Sequence, residues 1–193
     1  MSGVPARVLV VALRRRGDVL LTTPLIRSLK RAWPAAAIDA LVFDGTQGIL
    51  AGNSDLADVI ALPQRPGATA SAALLRTMWR RYDVAISTQS GDRPTLYTWA
   101  AARRSIGFVE GEGLSARLKR RALTYPVELR RDTHRVPEVL RLLEPLGLAG
   151  VAEVVAPAGA STNVKGEDSG VVAEPVERGL PTNVLMIDES VAI

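Results

Sequence analysis

The chain has 193 residues, enough for one ordinary domain or one domain and a tail, and 47% of them are hydrophobic, enough for a packed core. It has no cysteine and a single histidine, which excludes disulfides, thiolate metal sites and any multi-histidine site. The net charge of +4 is unevenly spread: residues 1–148 carry 22 Lys and Arg against 13 Asp and Glu, whereas residues 149–193 carry 2 against 7.

Val8, Leu9, Val10, Val11, Ala12 and Leu13 form an unbroken apolar run, the pattern of a strand buried on both faces of a parallel sheet. Arg14, Arg15, Arg16 and Gly17 interrupt it. Asp18 then stands before Val19, Thr22, Ile26, Leu29 and Trp33, whose three- and four-residue spacing predicts a helix with one buried stripe. Thr23-Pro24 offers a second start: Thr as cap and Pro at the first helical position would leave Asp18 in the connecting loop, and otherwise Pro24 kinks a longer helix. Either way Asp18 lies at the carboxyl end of the first strand, where doubly wound folds place their ligands. It can cap the helix there, or act as a proton-accepting carboxylate kept ionised by the helix N–H groups and the three arginines.

Residues 38–43 read as a second strand, Asp44-Gly45-Thr46 as a turn, 47–51 as a short helix closed by Gly52-Asn53, and 58–62 as a third strand stopped by Pro63. A helix is predicted over 70–81, with Trp79, like Trp33, on an apolar stripe facing the core. A strand over 82–87 leads into the polar loop 88–93, again at a carboxyl end. Then come a helix over 96–102, a short strand over 103–108 and a basic helix over 114–122. Tyr125 and Pro126 read as punctuation, and a last helix runs from about 131 to about 146, before Gly147. This β–α alternation predicts an α/β fold: a single Rossmann-like, doubly wound parallel sheet with helices on both faces. No G-x-G-x-x-G follows the first strand, and there is no Walker loop or G-x-S-x-G elbow, so a nicotinamide cofactor has nothing to bind it.

The run from Arg14-Arg15-Arg16-Gly17-Asp18 through Thr22-Thr23-Pro24-Leu25-Ile26, with Trp33-Pro34, Ile38-Asp39-Ala40-Leu41-Val42 and Gly45-Thr46, resembles the start of bacterial ADP-heptose:lipopolysaccharide heptosyltransferases, glycosyltransferase family 9. Among them it is most similar to the type that adds the third core heptose. Tyr82-Asp83, the Arg103-Arg104-Ser105-Ile106-Gly107-Phe108 strand and Thr133-His134 extend the resemblance over about residues 7–148. It implies the N-terminal, acceptor-side half of a GT-B fold over 1–148, with 149–193 an acidic, Gly- and Pro-containing tail, expected to be disordered, in place of the donor-binding domain.

By the same resemblance Asp18 is the general base that deprotonates the acceptor hydroxyl. Arg15, Arg16, Gly17, Thr22, Thr23, Arg104 and His134 are the acceptor-binding candidates, although Thr22 and Thr23 also suit capping and Gly17 a tight turn. No cofactor and no metal are implied; ADP-heptose is the donor, and the residues that would hold its diphosphate are not found. The function implied is heptose transfer from ADP-heptose to the lipopolysaccharide inner core, weak or absent in this half alone. The alternative is a non-catalytic domain that binds anionic glycolipid. The implied partners are the lipopolysaccharide core acceptor and a chain supplying the donor half, at the cytoplasmic side of the inner membrane and peripheral to it. The basic body by itself also suits nucleic acid, but aromatic residues are only 4% of the chain, too few for a stacking platform, and no nucleic-acid partner is expected.

Overall fold

The computed structural model describes residues 3–130 and 132–157 and the backbone of 184–186. Six strands form one sheet: β1 (Arg7–Ala12), β2 (Ala37–Phe43), β3 (Asp58–Leu62), β4 (Tyr82–Ser87), β5 (Ala102–Val109) and β6 (Tyr125–Glu128). Their spatial order is β3-β2-β1-β4-β5-β6, with every neighbouring pair parallel. The order reverses between β1 and β4, which opens a crevice at the carboxyl ends of these two strands.

Side chains alternate across β1. Val8, Val10 and Ala12 join one core cluster with Leu25, Ile26 and Leu29 of α2 (Thr23–Ala32). Leu9, Val11 and Leu13 join a second on the other face. That second cluster takes in Leu74, Leu75 and Met78 of α3 (Ala68–Met78) and Tyr97 and Ala101 of α4 (Asp92–Ala101). Burial on both faces is why the β1 sequence is apolar without interruption. Beside Leu9 in the register, Asp39 of β2 is buried and accepts from Tyr82 Oη at 2.8 Å and Arg7 Nη2 at 3.0 Å. Burial, then the bond to Asp39, pushes the Tyr82 phenol above its ordinary range.

The helix after β1 is broken in two. α1 (Arg16–Leu20) is a single turn or so, Leu21 and Thr22 form a corner, and α2 begins at Thr23 with Pro24 in its first turn. Both threonines close this corner: Thr22 Oγ1 donates to the Val19 carbonyl at 2.6 Å and Thr23 Oγ1 to that of Leu20 at 2.8 Å.

Downstream, α5 (Leu114–Ala122) matches its predicted span. Two differences from the sequence reading follow it. Tyr125 and Pro126 are in strand β6, not punctuation, and Pro126 is tolerated because β6 is the edge strand and needs no N–H on its outer side. The final helix starts later, as α6 (Arg135–Leu140), and tightens into a 3-10 segment (Arg141–Leu146) that ends at Gly147 with φ 68°.

Within the segment read as a tail, residues 151–155 pack against α2. Val151 N donates to Ser28 Oγ at 2.8 Å, Glu153 pairs with Arg31 at 2.6 Å, and Val155 N donates to Thr23 Oγ1 at 3.0 Å. These contacts lay β7 (Glu153–Val155) along α2, and β8 (Val184–Met186) pairs with β7 antiparallel. The expectation of disorder otherwise falls on residues outside those described.

Gly107 on β5 illustrates how closely the second face is packed. A Cβ there would lie 3.3 Å from both Leu123 Cδ1 and Ser87 Cβ. Gly107→Val is expected to lower stability by about 1–3 kcal/mol through overpacking, read as a lowered urea midpoint at unchanged m-value. An unchanged midpoint would show that α5 moves aside freely.

Candidate functional site

The loops after all six parallel strands meet along the carboxyl edge of the sheet, and two recesses there share Arg14. The first, about 550 Å³, is bounded by Arg14, Arg15, Arg16 and Asp18 after β1, by Phe43 to Thr46 after β2 and by Gln64 after β3. The second, about 440 Å³, lies between Arg14, Ser90 and Glu110 on one side and Arg130, Thr133, Arg135 and Glu138 on the other.

Asp18 occupies the first turn of α1, so its carboxylate meets the positive end of that short helix. Arg14 Nη1 lies 3.4 Å from both of its oxygens, and both side chains are about one third exposed. Such a carboxylate is open to a ligand, and among the described residues Arg14 is its one partner, at the long distance of 3.4 Å. Arg15, the N-cap residue, and Arg16 are exposed at the mouth of the same recess.

The other predicted residues divide. Gly17 is in the helix with no left-handed backbone, and a Cβ on it would meet nothing within 4 Å, so no tight turn requires glycine there. Thr22 and Thr23 are buried, their hydroxyls committed to the α1–α2 corner, and present no surface to an acceptor. Arg104 is on the amino-terminal part of β5, where its Nε donates to the Asp83 carbonyl at 3.4 Å. It is therefore at the opposite edge of the sheet from the crevice. His134 is the exposed N-cap of α6 without a side-chain capping bond, and its neighbours Thr133 and Arg135, not its own ring, border the second recess.

Arg135 is the residue that sequence reasoning passed over. Its guanidinium is half-buried, donates through Nη2 to the Thr88 carbonyl after β4, and leaves a buried Nε unpaired. Burial lowers its pKa from the ordinary arginine value, Arg14 adds to the effect, and Asp18 and Glu138 oppose it, which places Arg135 in the same electrostatic cluster as the Arg14–Asp18 pair. The signal in the sequence was its position one residue into the helix that follows β6, and it was hidden because β6 itself was not recognised. Glu138, one turn on, is buried, and its Oε1 accepts from Arg130 N at 2.8 Å and Arg141 Nη1 at 2.9 Å while Oε2 has no partner. The crevice thus offers a carboxylate beside several guanidiniums and unfilled hydrogen-bonding capacity, a setting suited to a polyhydroxylated anion. Among the described residues no cluster of three or more His, Cys, Asp or Glu could hold a metal ion.

No family model matches the chain. Lipopolysaccharide heptosyltransferase 3 of Escherichia coli strain K12 is 29% identical over 143 residues, which cover 70% of this chain and 41% of that protein. A second lipopolysaccharide heptosyltransferase 3 of Escherichia coli is 48% identical over 44 residues, 23% of this chain and 13% of the relative. Among solved structures, the Escherichia coli heptosyltransferase WaaC with ADP superposes with a TM-score of 0.62 at 22% identity, over 74% of this chain and 48% of that one. The glycosyl transferase family 9 protein of Veillonella parvula superposes with a TM-score of 0.61 at 24% identity, over 75% and 42%. The chain therefore spans less than half the length of the relatives it matches. In sequence, much of this chain is similar to part of lipopolysaccharide heptosyltransferase 3, and its fold is similar to part of the fold of WaaC and of the Veillonella parvula glycosyl transferase family 9 protein.

Proposed function

We propose that this chain is the acceptor-side domain of a heptosyltransferase that moves heptose from ADP-heptose to the lipopolysaccharide inner core. The observation that carries the reading is the Arg14–Asp18 pair, open to a crevice at the carboxyl end of β1 in a stretch that resembles the family's general-base segment. In the reaction, a core hydroxyl attacks the anomeric carbon, its proton passes to Asp18, and the bond to ADP breaks with its electron pair on the diphosphate. Asp18 acts on the acceptor alone. The departing charge must be held by groups from a donor-binding half, and the chain by itself is weak or inactive in transfer.

Arg15 and Arg16, together with Arg14 and Arg135, suit the acceptor's anionic groups because a guanidinium pairs bidentately with carboxylate and phosphate. Thr22, Thr23 and Arg104 drop out of the acceptor set on their placement, and His134 is left beside it. No cofactor enters this reading. Among the described residues no helix is long and apolar enough to cross a membrane, and the acceptor, being a glycolipid, brings the protein to the inner face of the inner membrane as a peripheral protein.

The test is calorimetric titration of the purified chain with a heptose-deficient core oligosaccharide, followed by transfer from ADP-heptose with and without a relative's donor-binding half. Saturable acceptor binding by the chain, with transfer appearing only on completion, is the expected result. An acceptor that does not bind at all overturns the proposal.

A further inference from the structure

The outer surface of the α3, α4 and α5 layer carries apolar side chains that none of the described residues covers. Leu96 of α4 is 46% exposed, and Leu114 and Leu118 of α5 are 76% and 60% exposed. Together with Trp99 they border a mainly apolar groove of about 410 Å³ between the two helices. At its far end Trp79, assigned to the core from its place on a helical stripe, is 54% exposed instead. It meets Trp99 edge-on, and the Arg80 guanidinium lies 5.5 and 5.6 Å from the two ring centroids, holding the indoles at the surface.

The charges beside this groove are arranged for a negative partner. Leu114 and Leu118 are four residues apart and form one row on α5, and the exposed Arg117 and Arg121 form the adjacent row. Asp92, the acid bordering the groove, is occupied by Lys119 at 2.7 Å and Ser115 at 2.8 Å, which hold its carboxyl below the usual carboxylate range. The groove also adjoins the crevice, since Lys119 borders the groove and donates at 2.6 Å to the carbonyl of Ser90, which borders the second recess.

We infer that the α4–α5 face docks on an anionic lipid bilayer, Leu114 and Leu118 entering the headgroup region while Arg117 and Arg121 pair with lipid phosphates. A basic amphipathic surface with an indole at its end is the arrangement that lies in a membrane interface rather than crossing it. A second copy of the chain is disfavoured as the occupant because two such arginine rows would face each other. The inference rests on the proposed function only for the acceptor's presence in the crevice. It deepens that reading by assigning the surface that brings the crevice to the lipid.

The test is co-sedimentation of the full chain with vesicles of phosphatidylcholine, alone or with about one third phosphatidylglycerol. Binding is expected to be at least about tenfold stronger to the anionic vesicles and to fall as salt is raised. Leu114→Ser/Leu118→Ser and Arg117→Glu/Arg121→Glu should each weaken it about tenfold or more, while Asp18→Asn leaves it unchanged. These side chains are exposed, so the variants retain the wild-type circular dichroism. Wild-type failure to bind anionic vesicles, or equal binding by the variants, overturns the inference, as does a dimer that Leu114→Ser/Leu118→Ser disperses without any vesicle binding. Soluble core oligosaccharide binding should be the same in the wild type and both double variants, so failure of the docking face and failure of the acceptor reading are told apart.

Discussion

Asp18→Asn, in the chain completed by a donor-binding half, is expected to reduce heptose transfer by about 10²–10⁴, the range that a positioned general base supplies. That corresponds to roughly 3–5 kcal/mol of transition-state stabilisation at about 1.4 kcal/mol per decade. The amide is nearly isosteric with the carboxylate and can keep one contact to Arg14, so the local structure has no reason to change. It cannot take the proton from the attacking hydroxyl. The loss should appear in kcat, with acceptor affinity within about twofold of wild type, because the proposed reading assigns acceptor binding to the guanidiniums rather than to Asp18. Steady-state kinetics against acceptor concentration separate the two. Full transfer by the asparagine variant would remove Asp18 from the chemistry and leave it a helix-terminal residue beside Arg14.

Glu138→Ala carries the largest expected effect on stability. The glutamate is buried in the first turn of α6, and its Oε1 holds both the Arg130 amide, on the loop leaving β6, and the Arg141 guanidinium, itself largely buried. Truncation leaves the part-buried Arg130 N–H without its acceptor and the largely buried Arg141 cation without its closest charge partner, at a cost of about 3–5 kcal/mol. Arg141 keeps a second bond, to the Glu128 carbonyl at 2.9 Å, and a longer contact to Glu144, which favours the lower end of that range. Against a total stability of roughly 5–15 kcal/mol for a domain, this is a large fraction. Urea unfolding followed by tryptophan fluorescence measures it, and Glu138→Leu with Arg141→Met should recover most of the loss, since an apolar pair asks for no partner. A loss below about 1 kcal/mol would mean that the pair behaves as an exposed one. Because Glu138 also borders the second recess, the alanine variant should bind the acceptor more weakly even where it remains folded.

What the amino-acid sequence determined by itself was whatever depends on neighbours along the chain. The apolar run 8–13 lies within one residue of β1 at each end because both faces of that strand are covered, and the span 114–122 read for the basic helix is that of α5. The place of Asp18 followed from the same local facts: a strand ends, a helix starts, and the carboxyl edge of a parallel sheet is where those turns lie. β6 was different. Tyr125, Pro126, Val127 and Glu128 have no strand pattern, and they are extended because β5 offers them hydrogen-bonding partners that are distant in sequence. With β6 unread, the loop after it could not be assigned to the crevice, and Arg135 went unrecognised beside the more conspicuous His134. Thr22, on the predicted buried stripe, and Thr23 suited either capping or an acceptor by sequence, and the break between α1 and α2 turns both hydroxyls inward, Thr23 being further committed by Val155, 132 residues away. Arg104 shares a sheet with Asp18 but not an edge. Contacts between distant segments decided each of these, because burial and hydrogen-bond partners belong to the assembled fold, whereas periodicity and turn chemistry belong to the local chain.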